Sequence, residues 1–433
     1  MDETYERTLL DIDEESWAYA HRLFQCIVVA FRPLHVEELA EFLTFNSEIG
    51  ESLTFNGDWR PENPRDTVLS ICSSLVTVIN VDGLPVIQFS HFSVKEYLTS
   101  SRISIGRVSR YYIPLEPAHL FLTQACLSIL LLLDKHVTIN SVEEFPLARY
   151  AGQYWTSHAE FGNVSSRTED LIKRLFNPED HHFANWVWIY DTIPNQPAIS
   201  DVPTLPEHTP LHYAAQHGFP RVVEWLITKC SQDVTIRGDF GVPLHNASRY
   251  GRLGVAQVLL THHADVNARN LDHWTPLHFA SRFDHIRVAR LLLEHGADVN
   301  SKTRLSITPL CLLSFGGGNL EVAQLLLEHG ADPSIRSITG RDSLYMALEN
   351  GQPGLAQLLL KHGADPNARD VDGQTLLHVS SQRGDQTVAQ RLLELGVDVK
   401  SLNNGNQTPI QVALHSGNEQ VVQLLLQYGA QRT

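Results

Sequence analysis

Paired cysteines are what this chain most plainly lacks. The five it has, Cys26, Cys72, Cys126, Cys230 and Cys311, are odd in number and widely spaced. They exclude a disulfide framework or a CxxC zinc site and read as small buried hydrophobes in a reducing compartment. Positive charge is also short. With 33 Lys and Arg against 49 Asp and Glu, the formal charge is −16, and the long-range field opposes adhesion to nucleic acid or an anionic membrane. The longest apolar run, Ala125 to Leu133, falls short of the roughly 20 residues that cross a bilayer. The opening Met1-Asp-Glu-Thr-Tyr-Glu is acidic where a secretion signal is basic and then apolar. The expected location is intracellular, in the cytoplasm. No GxSxG, HExxH or supported Cys/His dyad occurs, so no catalytic residue, metal or cofactor is expected.

What the chain does have is a repeat. Thr209-Pro-Leu-His returns as Val242-Pro-Leu-His, Thr275-Pro-Leu-His, Thr308-Pro-Leu-Cys, Asp342-Ser-Leu-Tyr, Thr375-Leu-Leu-His and Thr408-Pro-Ile-Gln, at steps of 33 or 34 residues. In each unit a second apolar helix follows, ending in patterns such as Leu-Leu-Leu-Glu-His-Gly-Ala-Asp. This resembles the ankyrin repeat, in seven copies over 207–433. The threonine hydroxyl is expected to cap the first helix, with proline in its first turn where a missing amide costs nothing. Gly218, Gly251, Gly351, Gly384 and Gly417 turn the chain left-handed between paired helices, and Asp284 stands in for one of them. Phe315-Gly316-Gly317-Gly318 adds one residue to the fourth unit as a local bulge. Gln407, Gln411, Gln420, Gln423, Gln427 and Gln431 are expected to face solvent, as suits a capping repeat.

Upstream, helices are expected over Glu14 to Phe31, Val36 to Leu43 and Asp66 to Ser73, the second turning Glu37, Glu38 and Glu41 outward. Leu75 to Val81 and Val86 to Phe89 read as a hairpin closed at Asp82-Gly83. Three helices and a hairpin make a winged helix over 1–110. Four more helical stretches, Leu115 to Asp134, Pro146 to Phe161, Ser166 to Phe176 and His182 to Asp191, form a linker domain over 111–191. A proline-rich connector occupies 192–206. The fold class is therefore mainly α, a winged-helix and helical-linker domain followed by a solenoid. DNA reading is not expected, since Asp66 to Ser73 carries no Lys or Arg and residues 1–110 hold 17 acidic against 9 basic side chains.

Ser90-His-Phe-Ser-Val-Lys-Glu-Tyr-Leu98, with Pro146-Leu-Ala-Arg-Tyr-Ala, Asn163-Val-Ser-Ser-Arg and Trp186-Val-Trp-Ile-Tyr, resembles the winged-helix end of NACHT signalling ATPases of the NLR-like class. The layout is similar to fungal NACHT proteins with C-terminal ankyrin repeats, and Asp2 to Leu10 resembles the last helix of the NACHT module. The phosphate loop GxxxxGKS or GxxxxGKT is absent. The chain thus reads as the regulatory and sensing half of such a protein, either a truncated paralogue or the remainder of a longer gene. The resemblance implies for His91 a contact to nucleotide phosphate; the competing reading is a helix-terminus core residue. It also implies a protein partner, with a NACHT-bearing protein as one candidate.

Ankyrin stacks, as a family, bind proteins through their hairpin fingertips and the concave face of their first helices. Those positions hold Tyr213, His217, Arg249, Tyr250, Asp272, His273, Trp274, Arg282 and Phe283. Exposed Tyr, Trp and Arg dominate interface energies, so a hot spot on repeats one to three stands beside the alternative that some of these rings pack on the neighbouring hairpin. His212, His245, His278 and His378 recur in register. Successive layers keep them from converging on a metal, and they are expected to hydrogen-bond inside the tetrapeptide turn. The pair His262-His263 is expected to be exposed and inert.

Overall fold

The computed structural model describes residues 2–46, 53–81, 83–191, 208–315 and 319–431. The proline-rich connector, the glycine bulge at 316–318 and Asp82 of the hairpin turn lie outside those residues. The chain divides into two compact units, residues 1–210 with 228–231, and 211–227 with 232–433.

The first unit opens with α1 (Asp2–Leu10) and α2 (Trp17–Val29), whose buried Ala20, Leu23, Phe24 and Val28 recur at helical spacing. Pro33 then prevents continuation. β1 (Leu34–His35), α3 (Val36–Glu41), α4 (Pro64–Cys72), β4 (Val76–Val81), β5 (Leu84–Phe89) and α5 (Phe92–Thr99) complete a winged helix, with the short pair β2 (Phe45–Asn46) and β3 (Thr54–Phe55) inserted between α3 and α4. The sheet order is β1-β5-β4, antiparallel, with Leu34 opposite Ile87 and Val76 opposite Phe89. Two-residue strands such as β1 leave no alternation to read, which is why the sequence shows only the hairpin.

Glu38 and Glu41 do not face solvent. Both are buried. The Arg32 guanidinium reaches Glu38 Oε1 and Oε2 at 2.5 and 2.7 Å, and Arg60 forks onto Glu41 at 2.6 and 2.9 Å. Helical spacing registers both glutamates as polar but cannot register arginines arriving from outside the helix. Burial pushes the Glu41 carboxyl up, against the pull of the Arg60 hydrogen bond and charge.

α6 (Leu115–Leu132) is the hub of the remaining helices, α7 (Ile139–Glu143), α8 (Ala148–Ala159), α9 (Val164–Arg167), α10 (Glu169–Leu175) and α11 (His182–Asp191). At 18 residues it is longer than the apolar run seen in the sequence, and by length and composition alone it could cross a membrane. Half of it is buried within the unit, where Leu122, Ala125, Cys126 and Ile129 are inaccessible. α8 and α11 meet so closely that a Cβ on Gly152 would lie 2.4 Å from Ile189, and this approach lets Trp186 Nε1 donate to the Gly152 carbonyl at 3.0 Å.

The second unit is a stack of helix pairs. The first helices are Pro210–His217, Pro243–Arg249, Pro276–Arg282, Pro309–Leu312 extended by a 3-10 turn, Ser343–Glu349, Leu376–Arg383 and Pro409–His415. Their partners are Pro220–Thr228, Leu253–Thr261, Ile286–Glu294, Leu320–Glu328, Pro353–Lys361, Gln386–Glu394 and Glu419–Gln427. Val222 with Leu226, Val255 with Leu259, Val288 with Leu292 and Val322 with Leu326 are buried along one seam, each side chain contributing roughly 1.5–3 kcal/mol. Asp284 takes φ 64° in a glycine role, as does His263, whose later counterparts are glycines.

Two polar ladders tie repeat to repeat. Asn267 accepts from Asp298 N–H and donates to the Gly296 carbonyl. Asn300 does the same with Asp332 and Gly330, and Asn367 accepts from Asp398 N–H. The other ladder is the histidine series described below. The fourth repeat has Ser334 and Cys311 at the ladder positions, and its ties to the fifth include Ile338 N–H to Leu305 O, Gln352 Nε2 to Ser314 O and Ser343 Oγ to Pro333 O.

Two variants test these assignments. Arg60→Ala strands a buried carboxylate and lowers unfolding stability by about 1–3 kcal/mol, while Arg60→Ala combined with Glu41→Leu recovers most of it, as read by urea denaturation. Ser334→Asn restores a missing tie and stabilises the solenoid by about 1 kcal/mol in the same assay.

Candidate functional site

The histidines of the repeats are structural, and their bonds reach further than the turn. In repeat three, Nδ1 of His278 accepts from Thr275 N–H at 3.0 Å, and Nε2 faces the Ile307 carbonyl of the next finger at 3.1 Å. His245 and His378 repeat this with Trp274 and Gln407, and His212 reaches the Gly241 carbonyl. Donor and acceptor roles together require a neutral ring protonated on Nε2. In repeats three and six the threonine hydroxyl meets the histidine Nδ1 at 2.8 Å. Where the histidine is missing, Thr308 Oγ1 and Asp342 Oδ1 cap the helix directly, and Tyr345 donates to Asp370 at 3.0 Å. Gln411, half-buried, accepts from Thr408 N–H at 2.9 Å and takes the histidine's role in repeat seven. Among the described residues no cluster of His, Cys, Asp and Glu could hold a metal ion.

Of the residues singled out on the repeats, Tyr213 and His217 are buried rather than exposed. Their rings stack at 6.5 Å, and His217 stacks in turn on Phe219, so the row of rings is folded inward rather than offered to solvent. Burial pushes His217 down to about 3. Trp274 is half-buried, with its ring 5.0 Å from Phe279 and 5.9 Å from His278. Asp272 and His273 are exposed at a fingertip, where Asn270 Oδ1 accepts from Asp272 N–H and His273 holds φ 61°.

The remaining four come together. The Arg249 guanidinium carbon lies 4.6 Å from the Phe240 ring centre, 5.3 Å from that of Phe283 and 5.8 Å from that of Tyr250, and Arg282 lies 5.9 Å from Phe283. Phe240, Phe283 and Tyr250 are 40%, 42% and 39% exposed, respectively. A guanidinium held over such rings contributes about 0.5–1 kcal/mol per contact at an exposed site and orders the arginine side chain. Phe240 is not among the residues that the sequence singles out, although it stands 33 residues before His273 and so shares its fingertip register. On the fifth repeat, Glu349 takes the register of Arg249 and pairs with Arg341 at 2.8 Å and Arg383 at 2.9 Å.

In the first unit, His91 is exposed and caps α5. Its Nδ1 accepts from Ser93 N–H at 3.2 Å and lies 2.6 Å from Ser93 Oγ, while its ring lies tilted against Phe92 with centroids 4.4 Å apart. It is a helix-terminus residue but not a core one. A separate histidine pair is buried. Tyr150 OH lies 2.9 Å from His158 Nε2, and His158 Nδ1 lies 2.8 Å from His119 Nδ1. The proton order that satisfies this chain has Tyr150 donating to His158 and His158 donating to His119. Burial lowers His119 to about 4, aided by the Lys95 charge, and His158 to about 3, aided by His119.

Profiles of known families match most of the chain. The one described as ankyrin repeats (3 copies) matches residues 165–270, 211–303, 302–370 and 344–433. The one described as GPI inositol-deacylase, winged helix domain, matches 9–111. The azaphilone pigments biosynthesis cluster protein L of Monascus ruber is 34% identical over 203 residues, 44% of this chain and 41% of that protein. The match thus spans about two fifths of the relative's length. Among solved structures, the ankyrin repeat domain of Bcl-3, titled a unique member of the IkappaB protein family, is 30% identical. That match covers 51% of this chain and 98% of the other, with a TM-score of 0.46.

The buried histidines set an acid limit. His278 is lowered to about 4 by burial, and His119, His158 and His217 lie at 3–4, against an ordinary 6.5. The unfolded chain therefore binds more protons, so the contribution is complete above pH 6.5 and is lost as pH falls through 4. Melting temperature should drop across that window. His278→Gln, which copies the arrangement at Gln411, should keep the cap bond and flatten the drop in differential scanning calorimetry.

Proposed function

Because the chain belongs to the ankyrin-repeat family, we propose that it is a non-enzymatic protein-interaction module that docks a polypeptide on the fingers and first helices of its second and third repeats. The observation that carries this reading is the ring cluster around Arg249. Phe240, Tyr250 and Phe283 each leave about two fifths of their surface in water beside a stacked arginine. Aromatic and arginine side chains so placed are the types that concentrate binding energy. Asp272, His273 and Trp274 lie on the finger that follows and form the rim of the surface. Tyr213 and His217 support it from within.

The winged-helix match, with the Ser90 to Leu98 stretch, supports a finer reading. The chain acts in the cytoplasm as the sensor or scaffold arm of an NLR-like protein of the fungal NACHT type. Its divisions are 1–110 winged helix, 111–191 helical linker, 192–206 connector and 207–433 repeats. A second reading is favoured by the exposure of His91 at the head of α5: the chain docks on a separate NACHT ATPase and biases its nucleotide switch.

Phe240→Ala with Phe283→Ala should reduce recovery of co-purifying partners about tenfold or more, measured by quantitative mass spectrometry, with melting temperature nearly unchanged. Unaltered recovery would overturn the docking surface. Under the second reading, a co-expressed NACHT module is among the proteins lost, and the chain alone gives no heat with ADP in calorimetry.

A further inference from the structure

Charge is distributed unevenly along the first helices. Arg249 and Arg282 occupy one register in repeats two and three, and Glu349 occupies it in repeat five. Glu349 is matched within the chain by Arg341 and Arg383. Arg249 and Arg282 form no ion pair among the described residues, and their guanidinium carbons lie 4.6–5.9 Å from the ring centres of Phe240, Tyr250 and Phe283. A guanidinium held over rings without an anionic partner leaves N–H groups for a forked contact to a carboxylate. Their neighbourhood is also basic. Residues 237–304 carry nine Lys and Arg against six Asp and Glu, a local +3 within a chain of −16.

We infer that repeats two and three take a short acidic segment of a partner protein. Two of its carboxylates engage Arg249 and Arg282, and the apolar side chains between them lie on Phe240, Tyr250 and Phe283. This inference rests on the docking reading above and adds to it the chemistry of the ligand. Screening over about 8 Å at physiological salt lets the two arginines dominate at contact range, whereas a long polyanion extends over the acidic remainder and is repelled. That favours a short acidic peptide over nucleic acid. Adjacent first helices stack about 8–10 Å apart, and a polyproline-type strand advances about 3.1 Å per residue with a three-residue turn. The matching acidic residues therefore stand about three apart.

The test sorts a display library of short random peptides on the whole chain and titrates the resynthesised winners by fluorescence anisotropy at low and high salt. Winners should carry two Asp or Glu about three residues apart and weaken with salt. Arg249→Gln with Arg282→Gln should weaken them about tenfold, and Arg249→Glu with Arg282→Glu about 100-fold, while sorting on the Glu pair should enrich Lys and Arg. The Gln pair keeps the Cβ–Cγ–Cδ stem and a polar, uncharged end, and its melting curve should stay close to the parent's, so loss of fold is separable from loss of charge. Winners that weaken with Phe240→Ala and Phe283→Ala, but carry no acidic bias and ignore the arginine variants, would overturn this inference and leave the docking surface standing. Absence of any peptide sensitive to either set would sink both. Tighter, arginine-dependent binding of a single-stranded oligonucleotide would replace the peptide with nucleic acid.

Discussion

In repeats two, three and six, an imidazole accepts the backbone N–H that opens its own first helix and passes its other proton to a carbonyl 29 residues on, in the next finger. That arrangement demands a neutral ring with one tautomer, and burial supplies it. The same bond fixes where the helix starts, where the following finger lies and how the two layers are registered. The leucine and valine seam provides most of the stabilisation, but apolar contact alone is indifferent to small slips between layers. The imidazole bonds are directional and remove that freedom. The exposed face is ordered because this interior bond places it.

The same logic governs the first unit, where charges are buried with specific partners. Glu38 and Glu41 take forked arginines, and Trp186 reaches a carbonyl opened to it by the absence of a side chain at Gly152. These polar contacts define how α3, α8 and α11 seat in a core otherwise made of interchangeable apolar side chains.

Most of this architecture is legible in the residues. A step of 33 or 34 with a Thr-Pro-Leu-His turn fixes helix starts, pairings and the seam, and the hairpin from Leu75 to Phe89 emerges from its alternation. What stays hidden depends on partners distant in sequence. The burial of Glu38 and Glu41 depends on Arg32 and Arg60, and β1 is too short to show a period. The surface divides in the same way. Arg249, Tyr250, Arg282 and Phe283 are visible from register alone. Tyr213 and His217 occupy comparable positions but are covered, and register carries no information about cover. Phe240 lies within reach of the same register count; its glycine neighbour disguises the finger that Trp274 makes plain in the next repeat.

Coupling in a stacked array passes only between adjacent layers, so its weakest contact decides how far a disturbance spreads. Between the fourth and fifth repeats Cys311 and Ser334 replace the residues of both ladders, and the bonds of Ile338, Ser343 and Gln352 stand beside the apolar seam instead. A disturbance entering from the C-terminal end therefore reaches the guanidinium-and-ring surface through a junction built differently from the others.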